Sequence, residues 1–144
     1  MFKRILVPTD GSDLSNKAIA AAIELAKTLK AAVVGMTTLE PYSYSNLSEY
    51  RPETLEDYEE RMEKVGAERL ARLANEAAQA GVPVETVSVK SFSPYEAIID
   101  TAKGKGCDLI VMASHGRRGL NAVLLGSETQ KVLTHTSIPV MVYR

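Results

Sequence analysis

Asp108-Leu109-Ile110-Val111-Met112-Ala113-Ser114-His115-Gly116-Arg117-Arg118-Gly119-Leu120 is the stretch whose reading settles the fold class. From Leu109 to Ala113 it is the most hydrophobic run in the chain, too short for a helix and apolar at successive positions. A strand that faces packed layers on both sides looks like this, and such strands belong to the centre of parallel sheets. The run breaks at Ser114 into a glycine-rich segment, and residues 127–136 then return to helical spacing.

Outward from this stretch, strand-like and helix-like segments alternate. Ile5-Leu6-Val7 reads as a buried first strand that stops at Pro8-Thr9-Asp10-Gly11-Ser12, a cluster of turn and cap residues. Over residues 12–29 the apolar positions Ala18, Ile19, Ala22, Ile23, Leu25, Ala26 and Leu29 recur at three and four, with Ser12 or Asp13 as the cap. Residues 32–39 form a second apolar stretch, with Gly35 as its weak point and Pro41 as its end. The segment 42–51 is rich in Ser, Tyr and Asn without a period and reads as a loop or lid. Residues 54–80 predict a long amphipathic helix, bent at Gly66 and terminated by Gly81. Residues 82–89 alternate as a strand does, Pro94 opens a helix to about Lys103, and Pro139-Val140-Met141-Val142-Tyr143 closes the chain as a last strand.

The order βαβαβαβαβ predicts an α/β fold with one domain over 1–144. Its expected form is a doubly wound, five-stranded parallel sheet with helices on both faces, right-handed crossovers and strand order 3-2-1-4-5. Ligands of such sheets bind beyond the carboxyl ends of the strands where the winding reverses, so the loops after Val7, Thr38 and Ala113 are the place to look.

Composition narrows the partners. Seventeen basic residues nearly balance 18 acidic ones over 144 residues, so neither nucleic acid nor an anionic membrane is a bulk partner. Cys107 is the only cysteine, which rules out an intrachain disulfide or a thiolate metal cluster and suits a reducing compartment. No stretch has the apolar length of a signal peptide core or a bilayer span, so a cytoplasmic protein is expected.

The glycine-rich loop is a candidate phosphate site. Glycines let main-chain amides approach an anion closely and adopt positive φ, and a helix beginning near Ser127 offers unpaired N–H groups and the positive end of its dipole. Arg117 and Arg118, the only adjacent arginines in the chain, add charge. Plainer readings stand beside this one. Ser127-Glu128-Thr129-Gln130 fits a capping box, with the Ser127 hydroxyl on the Gln130 amide and the Gln130 side chain returning to Ser127. Gly116, Gly119 and Gly126 also suit simple turns, Asp10 a turn or cap, and His115 loop packing. His135 falls where a cation suits a helix C-terminus and reads as structural.

No carboxylate pair, metal-ligand cluster or Ser-His-Asp spacing stands out, so neither catalytic nor metal-ligating residues are assigned and a dedicated hydrolase is not expected. A Walker lysine motif and the Ser-Gly-Gly type of pyrophosphate loop are missing too, which argues against a nucleotide-cleaving enzyme of related fold.

The chain resembles the universal stress protein family. The resemblance rests on Ile5-Leu6-Val7-Pro8-Thr9-Asp10-Gly11-Ser12, on Asp108 through Leu120, on Leu124-Leu125-Gly126-Ser127 and on Ile138-Pro139-Val140-Met141-Val142, in that order and spacing. In the ATP-binding branch the signature is Gly, two residues, Gly, nine residues, then Gly-Ser or Gly-Thr. Gly116 and Gly126-Ser127 match its later parts, while Ala113 stands at its first glycine. Because Ala113 ends a strand, an extended backbone is expected there, which alanine adopts without strain.

The resemblance implies ATP or a related adenine nucleotide as ligand, with Mg²⁺ or Mn²⁺ bridging phosphate oxygens. It places Pro8, Thr9 and Asp10 beside the adenosine and the Thr38 backbone at the adenine edge. Met112, Ala113, His115, Gly116, Arg117, Arg118 and Gly119 would wrap ribose and phosphates, and Gly126, Ser127, Glu128 and Thr129 would hold the phosphates. Glu128 is expected to contribute its amide rather than its carboxylate, which would repel a phosphate. A stress-response regulator with slow hydrolysis at most is implied, as is a homodimer through the last strand. The competing reading is a nucleotide-free homodimeric interaction module whose glycine loop is structural.

Overall fold

A computed structural model describes residues 1–43, 53–116 and 124–144. Strands and helices alternate as β1 (Arg4–Pro8), α1 (Asp13–Leu29), β2 (Ala32–Leu39), α2 (Leu55–Gln79), β3 (Val84–Lys90), α3 (Pro94–Gly104), β4 (Leu109–Ala113), α4 (Ser127–His135) and β5 (Val140–Tyr143). All strand pairs are parallel and the order across the sheet is β3-β2-β1-β4-β5, as the alternation predicts.

The period of two along each strand divides the core into two layers. Ile5, Val7, Val33, Leu109 and Val111 face α1 and α2, where Ile19, Ala22, Leu73 and Ala77 meet them. Leu6, Val34, Met36, Ile110 and Met112 face the other way, onto Ala97, Ile98 and Ala102 of α3 and Val132 of α4. β1 and β4 are buried from both sides, which is why their sequences are continuously apolar and not alternating.

Side-chain oxygens start two of the helices. Ser12 accepts from the Ser15 amide at 3.2 Å ahead of α1, and Thr54 accepts from the Asp57 amide at 3.1 Å ahead of α2. The opposite ends close with residues in the left-handed region, Lys30 after α1, Gly81 after α2 and Gly106 after α3. At the start of β4, Asp108 takes the main-chain N–H groups of Lys3 and Arg4 at 2.9 and 3.0 Å, pinning that edge to β1. Burial pushes the Asp108 carboxyl up, but the N–H groups of Arg4 and Lys3 outweigh it and hold it below its ordinary range.

Gly35 and Gly66 have a different reason from the weak point and the bend expected of them. A Cβ on Gly35 would lie 2.6 Å from Leu73 Cδ2, and one on Gly66 would lie 3.1 Å from Leu39 Cδ1. Helix α2 runs through Gly66 unbroken. The two glycines are contact points, one on β2 and one on α2, that let the helix lie close against the strand.

Gly35→Ala is therefore expected to destabilise the fold by about 1–3 kcal/mol through overpacking against fully buried Leu73. In urea titrations, Gly35→Ala combined with Leu73→Ala should lose less stability than the two single variants added together; strict additivity would contradict the contact. For Asp108, a carboxyl depressed in the folded state stabilises above its unfolded pKa and loses that contribution as pH falls through the folded one. Stability of Asp108→Asn should accordingly fall less steeply than that of the natural chain between about pH 5 and pH 3, measured by denaturant midpoints at each pH.

Candidate functional site

A cleft of about 640 Å³ opens at the carboxyl edge of the sheet, where β1, β2 and β4 end, and its size lies within the range of small-molecule sites. Pro8, Thr9 and Asp10 line it from the β1 end, Thr38 from β2, and Met112, Ala113, His115 and Gly116 from β4 and its loop. Gly126, Ser127, Glu128 and Thr129 line it from the start of α4. These twelve residues, drawn from four separate stretches of sequence, thus meet in one hollow. Arg117, Arg118 and Gly119 lie outside the described residues, as does the segment read as a loop or lid over 42–51 from its third residue onward.

The α4 end of the hollow is built by a hook. Gly126 donates its N–H to the Ser114 carbonyl at 2.7 Å, and the Thr129 hydroxyl donates to the Ala113 carbonyl at 3.0 Å. The helix start is thereby fixed to the end of β4. The first intrahelical bond is Gln130 N–H to the Gly126 carbonyl at 3.0 Å, so the amides of Ser127, Glu128 and Thr129 have no partner among the described residues. The capping box read from the sequence does not form. Gly126, not Ser127, is the N-cap, no side chain caps the turn, and the Gln130 amide group goes to the Leu125 carbonyl at 3.0 Å. Ser127 sits one residue inside the helix, where its hydroxyl is past the position from which a cap is made.

Neither Gly116 nor Gly126 has positive φ; at 126 the neighbouring backbone leaves little room for a side chain, while at 116 the obstacle is the tip of the Asp10 side chain, which can shift. A Cβ on Gly126 would lie 3.1 Å from both His115 Cα and the Ser114 carbonyl oxygen, and one on Gly116 would collide with Asp10 Oδ2. Ala113 keeps φ outside the left-handed region, as its place at a strand end predicts. Asp10 takes the Ser12 N–H at 3.0 Å in the turn before α1, so its turn role is real while its other oxygen faces Gly116.

Two side chains work away from the hollow. The Glu128 carboxylate accepts the Tyr95 N–H at 2.8 Å and so serves the start of α3, whose own N-cap Ser93 makes no side-chain bond. Its carboxylate is thus engaged with α3, while the residue itself lines the cleft. Thr9 faces inward: its hydroxyl takes Ser15 Oγ–H at 2.9 Å and the Gly11 N–H at 3.2 Å, and its carbonyl takes the Thr37 hydroxyl at 2.8 Å. Behind the floor lies this buried hydroxyl network, onto which Arg69 donates through Nη1 to Thr37 Oγ1 at 3.2 Å.

Helix α2 brings residues that sequence reading did not assign to the site. Tyr58, Arg61, Met62 and Arg69 line the hollow opposite β4. The Arg61 guanidinium is held by both oxygens of Glu53 at 2.8 and 3.0 Å and lies 5.2 Å from the Tyr58 ring centroid. Arg69 falls on the helical stripe of Tyr58, Met62 and Val65, and a basic residue inside an apolar stripe was the available signal. Ser91, Phe92, Pro94 and Ile98 complete the wall from the β3–α3 side. These gave no sequence signal, since the crossover from β3 to α3 was not among the loops singled out.

The arrangement offers main-chain donors to an anion at one end and an apolar wall with two guanidinium groups at the other. Among the described residues no group of three or more His, Cys, Asp or Glu stands together for a metal ion. Ser114 Oγ and His115 Nδ1 lie 3.2 Å apart, but Ser114 is buried and does not line the cleft. No described helix is long and apolar enough to cross a membrane.

Known proteins share this architecture. The whole chain, residues 1–144, matches the universal stress protein family. Universal stress protein YxiE of Bacillus subtilis is 36% identical, with both chains covered completely. The solved structure of MJ0577, a universal stress protein of Methanocaldococcus jannaschii, superposes with a TM-score of 0.80 at 26% identity, covering 99% of this chain and 96% of that one. A universal stress protein solved in complex with cAMP superposes with a TM-score of 0.74 at 25% identity, over 99% of this chain and 97% of its own. With the sheet order, the glycine-lined cleft and a match over its full length, this chain belongs to the universal stress protein family.

Proposed function

We propose that the cleft binds an adenine nucleotide, with ATP as the first candidate, and that the protein is a single-domain stress-response regulator with slow hydrolysis at most. The observation that carries this reading is the start of α4: three amides without a partner among the described residues point from a helix end that no side chain caps. Gly126, packed against the backbone of residues 114 and 115, and Gly116, whose added Cβ would displace the Asp10 carboxylate, let the main chain close on a ligand. The complex of a related universal stress protein with cAMP supports an adenine-bearing ligand.

In this reading the polyphosphate lies against the amides of Ser127, Glu128 and Thr129, and the adenosine runs towards Pro8, Asp10 and the Thr38 backbone. Arg117, Arg118 and Gly119 belong to the loop proposed to wrap the phosphates. A divalent ion, Mg²⁺ or Mn²⁺, would neutralise phosphate charge, held by phosphate oxygens since the described residues provide no carboxylate cage. One cysteine with its thiol pushed up by burial suits a reducing cytoplasm.

A second reading, a nucleotide-free interaction module, draws on Thr129 and Glu128, whose side chains are already engaged within the protein. Calorimetry separates the two. The natural chain should bind ATP with Mg²⁺ saturably, and Gly126→Val should abolish that binding while circular dichroism shows the fold retained, because its side chain would press on the His115 backbone. No binding by the natural chain at millimolar ATP would leave the module reading in place.

We also propose a homodimer through β5. Ile110 N–H bonds to the Pro139 carbonyl and Ser114 N–H to the Tyr143 carbonyl, so in a parallel ladder Pro139, Met141 and Tyr143 serve β4. Val140 and Val142 then present their main-chain groups to the open edge. Sedimentation should show a dimer at micromolar concentration. Val142→Pro, which removes one edge donor and spares the β4 ladder, should shift it to monomer; a natural chain that sediments as monomer would overturn the dimer.

A further inference from the structure

Phe92 stands in the short crossover Ser91-Phe92-Ser93-Pro94 between β3 and α3, and 63% of its surface is exposed. A lone exposed apolar side chain is ordinary in a soluble protein. This one differs in its place. Of the large apolar residues left exposed among the described residues, Phe92 alone lines the cleft.

Its backbone is also held on every side. Ser91 donates its N–H to the Leu39 carbonyl at 3.0 Å, which ties the crossover to the end of β2. Ser93 donates its N–H to Ser91 Oγ at 3.0 Å, and the same hydroxyl donates to the Ser93 carbonyl at 3.2 Å, closing a tight turn around Phe92. Pro94 fixes the next φ at the first position of α3. One residue later the Tyr95 N–H meets the Glu128 carboxylate at 2.8 Å, so the turn that carries Phe92 is tied to the first turn of α4. A held turn thus brings an apolar ring into the lining of the cleft, which Ile98, Met112 and Leu39 and the start of α4 with its unpartnered amides also line.

A molecule that satisfies both ends has an anionic tail and a flat, weakly polar face. We propose that Phe92 stacks on the heteroaromatic base of the bound nucleotide and makes the cleft select a base-bearing ligand over bare polyphosphate. The proposal rests on the nucleotide reading above and adds to it the residue that recognises the base. Stacking needs only a π-face, so it favours a base over no base without choosing among purines.

The test is calorimetry of the natural chain, Phe92→Ala and Phe92→Trp with ATP and with inorganic tripolyphosphate, each in Mg²⁺. Phe92→Ala should weaken ATP binding roughly tenfold and leave tripolyphosphate binding unchanged. Phe92→Trp should retain ATP binding, and because the chain has no other tryptophan, quenching of its indole emission by ATP reports the stack directly. Thermal melting should find all three equally folded, as expected at an exposed position. Unchanged ATP affinity in Phe92→Ala, equal loss of ATP and tripolyphosphate, or indole emission indifferent to saturating ATP would each overturn the stacking role while the nucleotide reading stands. Failure of the natural chain to bind ATP at all would overturn both.

Discussion

Two hydrogen bonds hook α4 onto the end of β4, from Gly126 N–H to the Ser114 carbonyl and from the Thr129 hydroxyl to the Ala113 carbonyl. They use the carbonyls that the strand leaves open as it exits the sheet, and they set where the helix begins. Because the hook spends the Thr129 hydroxyl on anchoring and places a glycine at the N-cap, the first turn of α4 faces the cleft with its amides open. Ser114 extends the fixation sideways, since its own N–H goes to the Tyr143 carbonyl of β5 at 2.7 Å. The closing strand, the central strand and the helix start are one connected unit.

The two edges of the sheet have different tasks. At the amino edge, Lys30, Gly81 and Gly106 turn the chain in the left-handed region directly after helices, and Asp108 clamps β4 to β1. At the carboxyl edge the connections after β2 and β4 are longer, and α2 continues past the strands with Tyr58, Arg61, Met62 and Arg69 turned to the cleft while Leu73 and Ala77 remain in the core. One helix therefore belongs to the scaffold in its second half and to the cleft in its first.

Much of this was legible in the residues themselves. Strands β1 and β4 announce their double burial by unbroken apolar runs, and Ser12, Thr54, Gly81 and Pro94 mark helix ends through local chemistry that depends on few neighbours. What failed to show was decided by distant partners. The text around Ser127 supports a capping box, yet the Ser114 carbonyl captures Gly126 and moves the cap back by one residue. Gly35 reads as a defect in a strand until Leu73, far along the chain, is found against it. Arg69 and Phe92 reach the cleft from elements whose own patterns speak only of a helix and a turn. The central part of the glycine loop, including Arg117 and Arg118, lies outside the described residues and stays with the family resemblance.

A hollow lined at one end by the peptide groups of a helix start is inherited as a shape and not as lettering. Ser127, whose side chain makes neither of the hook bonds, can be exchanged for another helix-compatible residue with the helix start left in place, whereas Thr129, which anchors it, and Gly126, which lies against the backbone of residues 114 and 115, tolerate little change. Divergence can therefore rewrite most of the alphabet around such a cradle while its architecture persists, and kinship among its owners is better traced by where the chain runs than by how it is spelled.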